Sequence, residues 1–462
     1  MAGEAGATQT GGRPATGGTI KGRYGLSVGN PGTPLPDGWT WTALSSVARL
    51  ETGHTPSRKH PEWWGGEIPW IGIRDATSNH GRIIYGTREY TNQLGIENSS
   101  ARILPANTVC LSRTASVGYV VVMGVPMATS QDFLNWVCSA RLNHHFLKYV
   151  LLAEKDAILQ YASGTTHQTI YFPEAKAFHI ALPPVREQNI IANLLNSLDD
   201  KIERNRRMAA TLQEIAQALF KSWFVDFDPV HAKVDRRILS LPAATLALFP
   251  DRFGENGLPE GWRESAFGDV FDIRNGNTPS TEELRYWGGE HQWATPKDLS
   301  PLVSPVLLNT DRTLSDQGVA VVNSGLLPPG SVLLSTRAPI GYIAFATRPV
   351  AINQGMAGIV GKEISTAHAW LWCIANNDVF LSVAGGSTFP EISKGTLRRL
   401  PMVVPSDDVS RSFSASVDPI VERLIALAEE NDNLALLRDS LLPRLISGEL
   451  RIKDIEAQGE AA

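Results

Sequence analysis

Gly53-His54-Thr55-Pro56-Ser57 is followed by Trp64-Gly65-Gly66-Glu67, and the order returns as Gly276-Asn277-Thr278-Pro279-Ser280 and Trp287-Gly288-Gly289-Glu290. One shift of 223 residues, 53 to 276, superposes both stretches without a gap. Working outward, the same shift carries Gly38-Trp39 onto Gly261-Trp262, and Trp70 and Asp75 onto Trp293 and Asp298. It then carries Leu104-Pro105 onto Leu327-Pro328, Ser112 onto Ser335, Gly118-Tyr119 onto Gly341-Tyr342, and Gln131 onto Gln354. Chance does not hold one register across so many separate positions, so the chain is two copies of one module. Further on the register drifts, with Ser163-Gly164-Thr165-Thr166 facing Gly385-Gly386-Ser387-Thr388.

Each copy has the same order of parts. Runs punctuated by Gly, Pro and Asn enclose β-branched stretches such as Val117 to Met123 and Ile340 to Ala346, which read as strands. Asn143 to Tyr161 reads as an amphipathic helix. A segment of different character then follows Leu182-Pro183-Pro184. Positions 191, 195, 198, 202, 205, 209, 212, 216, 219 and 223 alternate spacings of four and three, and all are apolar except Asn205. The second copy repeats the seam at 413, 417, 420, 424, 427, 431, 434, 438, 441 and 445, interrupted by Asn431 and Arg438. Such seams predict two long helices that pack on each other as a coiled coil. Pairing them antiparallel, end to end, sets Asn205 opposite Asn431, one polar layer that fixes the register. Pro419 and Pro443 are expected to begin or kink helical stretches within the second segment.

The expected fold class is therefore α/β (α+β), with two duplicated domains separated by an antiparallel pair of long helices. Boundaries follow from composition: a flexible tail over 1–36, a first domain over 37–183, and a first long helix over 184–228. A linker over 229–258, a second domain over 259–404, a second long helix over 405–452 and a tail over 453–462 complete the chain. A helix from 191 to 223 would be about 50 Å long at 1.5 Å per residue.

Composition excludes several classes. Among 462 residues, 42 are Lys or Arg and 47 Asp or Glu, a formal net charge of -5, which rules out a histone-like polycation. The three cysteines, Cys110, Cys138 and Cys373, follow no metal or disulfide spacing. Residues 1–36 have no continuous apolar run of a secretory signal, and no later stretch is apolar enough to span a bilayer, so the expectation is a soluble, cytoplasmic chain without membrane contact. No phosphate-binding G-x-x-x-x-G-K-[ST] occurs, and neither Pro-Pro pair has the flanking residues that would hold a flipped adenine. His144-His145 are adjacent and should face different ways on a helix, poor geometry for a metal. The reading is no catalytic site, no metal site and no cofactor bound by this chain. A fused nuclease is disfavoured because metal-binding carboxylates are missing.

What remains is equipment for recognition. The loops carry Arg58, Lys59, Arg74, Arg82 and Arg88 in one copy and Arg274, Arg285, Lys297 and Arg312 in the other, among Trp63, Trp64, Tyr85, Tyr286 and Trp287. Arg and Lys can read guanine, and Asn and Gln adenine, in the DNA major groove. The side chains expected to contact DNA are Arg58, Lys59, Arg74, Arg113, Arg285, Lys297 and Arg337. Residues 50 to 120 hold seven basic against six acidic side chains, and 270 to 350 six against seven. Neither copy has the basic excess of a protein that grips the DNA backbone unaided. Composition alone also allows a two-module adaptor for protein or glycan.

The chain resembles the specificity (S) subunit of a type I restriction-modification system. The residues that carry the resemblance are the doubled G-x-T-P-S loops, the S-G-T-T and G-G-S-T segments, and Leu182-Pro183-Pro184-Val185-Arg186-Glu187-Gln188 entering the first long helix. Phe220 to Pro229 and the ending Leu441 to Leu450 add to it, so the likeness covers about residues 37 to 455. Where the family repeats P-x-x-E-Q before the second helix, this chain has Pro405-Ser406-Asp407-Asp408-Val409. The resemblance implies two target-recognition domains held apart by a helical spacer, each reading half of a bipartite double-stranded DNA site. It implies assembly with two modification (methyltransferase) subunits that use S-adenosylmethionine to methylate adenine N6. ATP- and Mg-dependent restriction subunits would join the same complex.

Overall fold

The computed structural model describes residues 18–162, 168–337, 339–386 and 390–451. The S-G-T-T segment, Ser387-Thr388 of its counterpart, the tail over 453–462 and the first 17 residues lie outside the described residues. The chain divides into two units, one formed by residues up to Asp200 together with those from Leu434 on, the other by Lys201–Asn433.

Each unit contains the same two sheets. In the first, a five-stranded sheet runs in the order Ala48–Thr52, Phe133–Cys138, Val109–Ser112, Val120–Met123, Ile83–Ile84, beside a three-stranded sheet ordered Ala128–Thr129, Trp64–Ile71, Glu89–Thr91. In the second, Phe271–Asn275, Met356–Gly361, Val332–Thr336, Ile340–Ala346 and Val306–Leu307 repeat the larger sheet. Val350–Ile352, Trp287–Ala294 and Arg312–Leu314 repeat the smaller one in the same order. The central strands of the five-stranded sheets are buried on both faces, which is why they read as continuous apolar runs such as Val120-Val121-Val122-Met123.

The duplicated residues are those that tie this scaffold together. Thr55 Oγ1 donates to Gln131 Oε1 at 2.6 Å, and Thr278 Oγ1 to Gln354 Oε1 at 2.5 Å. The Tyr119 amide donates to Ser112 Oγ and the Tyr342 amide to Ser335 Oγ, each at 2.8 Å. Asp75 accepts from the amides of Gly72 and Arg88, as Asp298 does from those of Thr295 and Asp311. Gly53 and Gly276 are glycine because the loop passes against the backbone after a neighbouring strand. A Cβ there would lie 2.1 Å from Thr129 Oγ1 in one copy and 1.5 Å from the Ile352 carbonyl oxygen in the other.

Both long helices form, over Val185–Phe224 and Asp407–Ser447. Every position of both predicted seams is buried or half-buried. Their antiparallel course is evident inside each unit. In the first, Asp199 meets Arg438 while Ile191 and Leu195 share a core with Leu442 and Leu445. In the second, Phe220 and Trp223 pack on Phe413 while Lys201 and Asn205 reach Glu430. Contrary to the sequence reading, neither Pro419 nor Pro443 begins the second helix, which runs unbroken through both. Pro419 is solvent-exposed, so the carbonyl it leaves without an amide can be hydrated. The second helix starts with Asp407 and Asp408 in its first turn, where acidic side chains complement the helix dipole.

Two further expectations are corrected. Part of the stretch expected to be a flexible tail is built into a sheet: Ile20–Lys21 and Phe178–Leu182 both pair with Leu26–Val28, and Leu26 and Val28 are each 1% exposed. Its anchor is Glu154, a buried carboxylate that accepts from the amides of Arg23, Tyr24, Gly25 and Leu26 at 2.5 to 3.1 Å. The same residue explains why Asn143 to Tyr161 is not one helix but two, His144–Ala153 and Lys155–Tyr161, which meet at Glu154. Cys110, Cys138 and Cys373 are free thiols. Among the described residues no helix is long and apolar enough to cross a membrane.

Candidate nucleic-acid interface

The small sheet of each unit carries an aromatic shelf. Trp64 and Trp70 meet edge to face, with ring centroids 5.2 Å apart, and Trp287 and Trp293 repeat this at 5.0 Å. The shared spacing, six residues along the central strand with an irregular register between, brings the two indoles into contact in each copy. A guanidinium lies on each shelf. Arg58 is 3.7 Å from the Trp64 centroid and Arg312 is 3.4 Å from that of Trp287, inside the range where a cation is attracted to the ring face.

The residues expected to contact DNA occupy different settings. Arg58 donates from both terminal nitrogens to Glu89, at 2.5 and 2.7 Å. This hydrogen bonding, aided by the charge of Arg74, holds the Glu89 carboxyl below its ordinary range. The structure thus brings Arg58 and Arg74 together around one acid. Lys59 is exposed in the turn after Arg58, and Arg74 is exposed on the helix Ile73–Ser78. Arg285 pairs with Glu283 at 3.0 Å and Lys297 with Asp311 at 3.1 Å, both on the surface. Arg337 lies 3.8 Å from Glu391. Arg113 is half-buried, and its Nε donates to the Gln131 carbonyl at 3.0 Å, so it braces the loop that carries Gln131. Arg312 is not among the side chains expected to contact DNA, although it lies on the second shelf. Its signal is the repeat itself, since the shift of 223 sets Arg312 on Glu89 (89 to 312), a reversal of charge within a register that is otherwise kept.

Polar groups also occupy the helix pair. Asn205, 2% exposed, donates to Glu430 Oε2 at 2.8 Å, while Asn431 Oδ1 is buried without a hydrogen-bond partner. Arg438, the other interruption, donates to Asp199 at 2.9 Å, and Asp199 also accepts from Tyr149 at 2.7 Å and from Lys148 at 3.4 Å. Burial tends to raise the Asp199 carboxyl, but the Lys148 charge and the bonds from Arg438 and Tyr149 hold it below its ordinary value.

The helix entrance differs between copies. Glu187 accepts from Trp39 Nε1 and from Arg451 Nε, both at 3.1 Å. Gln188, fully buried, donates to the carbonyls of Arg141 and Pro183 and accepts from the Asn143 amide. In the second copy the helix begins 222 residues later, at Asp407 for Val185, so Val409 and Ser410 take these places, and Trp262 Nε1 is buried without a partner.

No group of three or more metal-ligating side chains occurs among the described residues. His144 and His145, expected to face apart, instead lie with ring centroids 4.1 Å apart at the start of their helix. Burial, with the neighbouring imidazole and Lys148, pushes His145 down to about 4.

The comparisons with known proteins agree with this geometry. The family described as type I restriction modification DNA specificity domain matches residues 36–214 and 259–431, two stretches that begin 223 residues apart (36 to 259), as the internal repeat does. The MjaIX specificity subunit, a type I restriction enzyme component of Methanocaldococcus jannaschii, is 25% identical over 433 residues, spanning 91% of this chain and 95% of its own. The HindI specificity subunit of Haemophilus influenzae is 28% identical over 339 residues, 63% of this chain and 73% of its own. The crystal structure of the type I restriction-modification S subunit from M. genitalium has the same fold, with a TM-score of 0.55 at 16% identity over 90% of this chain and 97% of that one. Two copies of one scaffold, each matched by the same family, place this chain among the type I restriction-modification DNA specificity subunits.

Proposed function

We propose that each module reads one half of a bipartite DNA site, and that the paired helices set the length of the unread middle. The observation that carries this reading is the contrast between what the copies share and what they do not. The shared residues bond within the scaffold: Thr55 donates to Gln131 and Thr278 to Gln354, while Ser112 and Ser335 accept from the amides of Tyr119 and Tyr342. The side chains displayed on that scaffold differ, as Ser57-Arg58-Lys59-His60 does from Ser280-Thr281-Glu282-Glu283. Two readers on one frame suit a target of two unlike halves.

Catalysis belongs to partner subunits. Two modification subunits would bring S-adenosylmethionine and methylate adenine N6, and restriction subunits would bring ATP and Mg for cleavage of unmodified DNA. The near-balanced charge of each module fits a division of labour in which these partners supply much of the grip on phosphates. The complex would act on DNA in the cytoplasm.

Methylome sequencing of a host that expresses this chain with its modification subunits tests the reading. Methylated adenines within a split motif are expected. Replacing residues 37–180 with the corresponding domain of a relative is expected to alter one half of that motif. Methylation without a split motif, or a swap that changes both halves, would refute it.

A further inference from the structure

The two aromatic shelves hold the same kind of group from opposite sides. In the first module the guanidinium comes from the loop, as Arg58, and the strand facing Trp70 supplies Glu89. In the second the strand residue facing Trp293 is itself the arginine, Arg312, and the loop position that corresponds to Arg58 is Thr281 (58 to 281). That loop is in place beside the shelf, because Trp287 Nε1 donates to the Ser280 carbonyl at 3.0 Å. The consequence lies in the N–H edges. Both terminal nitrogens of Arg58 are occupied by Glu89. Arg312 is exposed, and no side-chain hydrogen bond or ion pair of its guanidinium is found among the described residues.

Arg312 is therefore a planar donor fork whose face is held by an indole and whose edge is open. Stacking has already restricted the side chain, so a bidentate partner costs less ordering than it would at a free arginine. The acceptor pair that fits such a fork in the DNA major groove is O6 and N7 of guanine. A phosphate oxygen pair would also fit, but a phosphate contact carries no sequence information and has no reason to differ between modules. At this point of the shared frame the charge changes sign, Glu89 against Arg312, as expected where two modules read different bases.

We propose that Arg312 is a specificity-determining residue of the second module and reads one guanine of that module's half-site through its open N–H edge. The proposal rests on the DNA-reading function given above. The test uses the full chain assembled with its modification subunits, carrying R312A, R312K or T281E, with the methylated motif read by sequencing and binding measured on duplexes substituted at each base pair. In R312A, one G·C pair of one half-site is expected to become degenerate, with affinity for the original site falling roughly 5- to 150-fold and the other half-site unchanged. R312K keeps the charge and loses the fork, so it is expected to relax the same base pair. T281E gives the second module a carboxylate where the first has its arginine, and is expected to occupy Arg312 and relax that pair while leaving Arg312 itself intact. An unchanged motif in R312A and T281E, a uniform loss on all sequences, or full rescue by R312K would overturn the proposal. A wild-type complex that methylates no split motif would instead count against DNA reading itself, whatever the variants do.

Discussion

Replacing Asp199 with Asn tests the polar lock in the helix pair of the first unit. Asp199 is the only carboxylate within ion-pair distance of Lys148 among the described residues, and the Lys148 side chain is 3% exposed. The substitution keeps the shape and removes the charge, which leaves the buried Lys148 ammonium without a carboxylate in ion-pair distance and Arg438 with Asp439 alone. Breaking a buried pair from one side costs about 3 to 5 kcal/mol. For a unit of this size that corresponds to roughly 6 to 20 °C in the melting temperature. Hydrogen exchange followed by mass spectrometry separates this unit from the other, and protection of residues 144–153, 185–200 and 434–447 is expected to fall together. The double variant K148M/D199L, which removes both charges and keeps volume, is expected to recover most of the loss. A D199N chain within 1 kcal/mol of wild type, with unchanged protection in these helices, would refute the account of Lys148 as a cation dependent on Asp199.

Two further outcomes are expected. His368 is packed against Phe220, Phe224 and Phe413, and burial pushes it from 6.5 down to about 3. Between those values the unfolded chain binds a proton that the folded chain refuses, so stability of the second unit falls as pH falls, by about 1.4 kcal/mol per pH unit. Urea unfolding at pH 7 and pH 5 should differ by about 2 kcal/mol from this group, and H368F should remove that difference. G276A forces a methyl into the Ile352 carbonyl and is expected to destabilise the second unit by about 1 to 3 kcal/mol or more, read as a lower urea midpoint.

Much of the architecture was legible because it is written twice or written periodically. The shift of 223 exposed the module, and the spacing of the apolar seam exposed both long helices, since neither needs knowledge of distant partners. What was missed depends on contacts between residues far apart in sequence. Glu154 breaks a helix to hold amides about 130 residues earlier, and nothing local to Glu154 announces that. The tail expectation fails for the same reason, because Leu26–Val28 is a short strand whose partner, Phe178–Leu182, lies about 150 residues away. Pro419 misled because a proline on the exposed side of a packed helix disturbs less than one in an isolated helix. Among the recognition residues, cations were visible but their partners were not. Only geometry separates Arg58, occupied by Glu89, from Arg312, which is not.

The bonding of duplicated residues to one another has a consequence for descent. A scaffold that satisfies its own threonines, glutamines and serines internally makes no demand on the side chain facing the tryptophan shelf. Substitutions at 89 or 312 therefore alter an exposed strand position without opening a cavity or orphaning a buried group. On the proposal that position 312 faces a DNA base, a lineage would pass from one target to another through folded intermediates at each step.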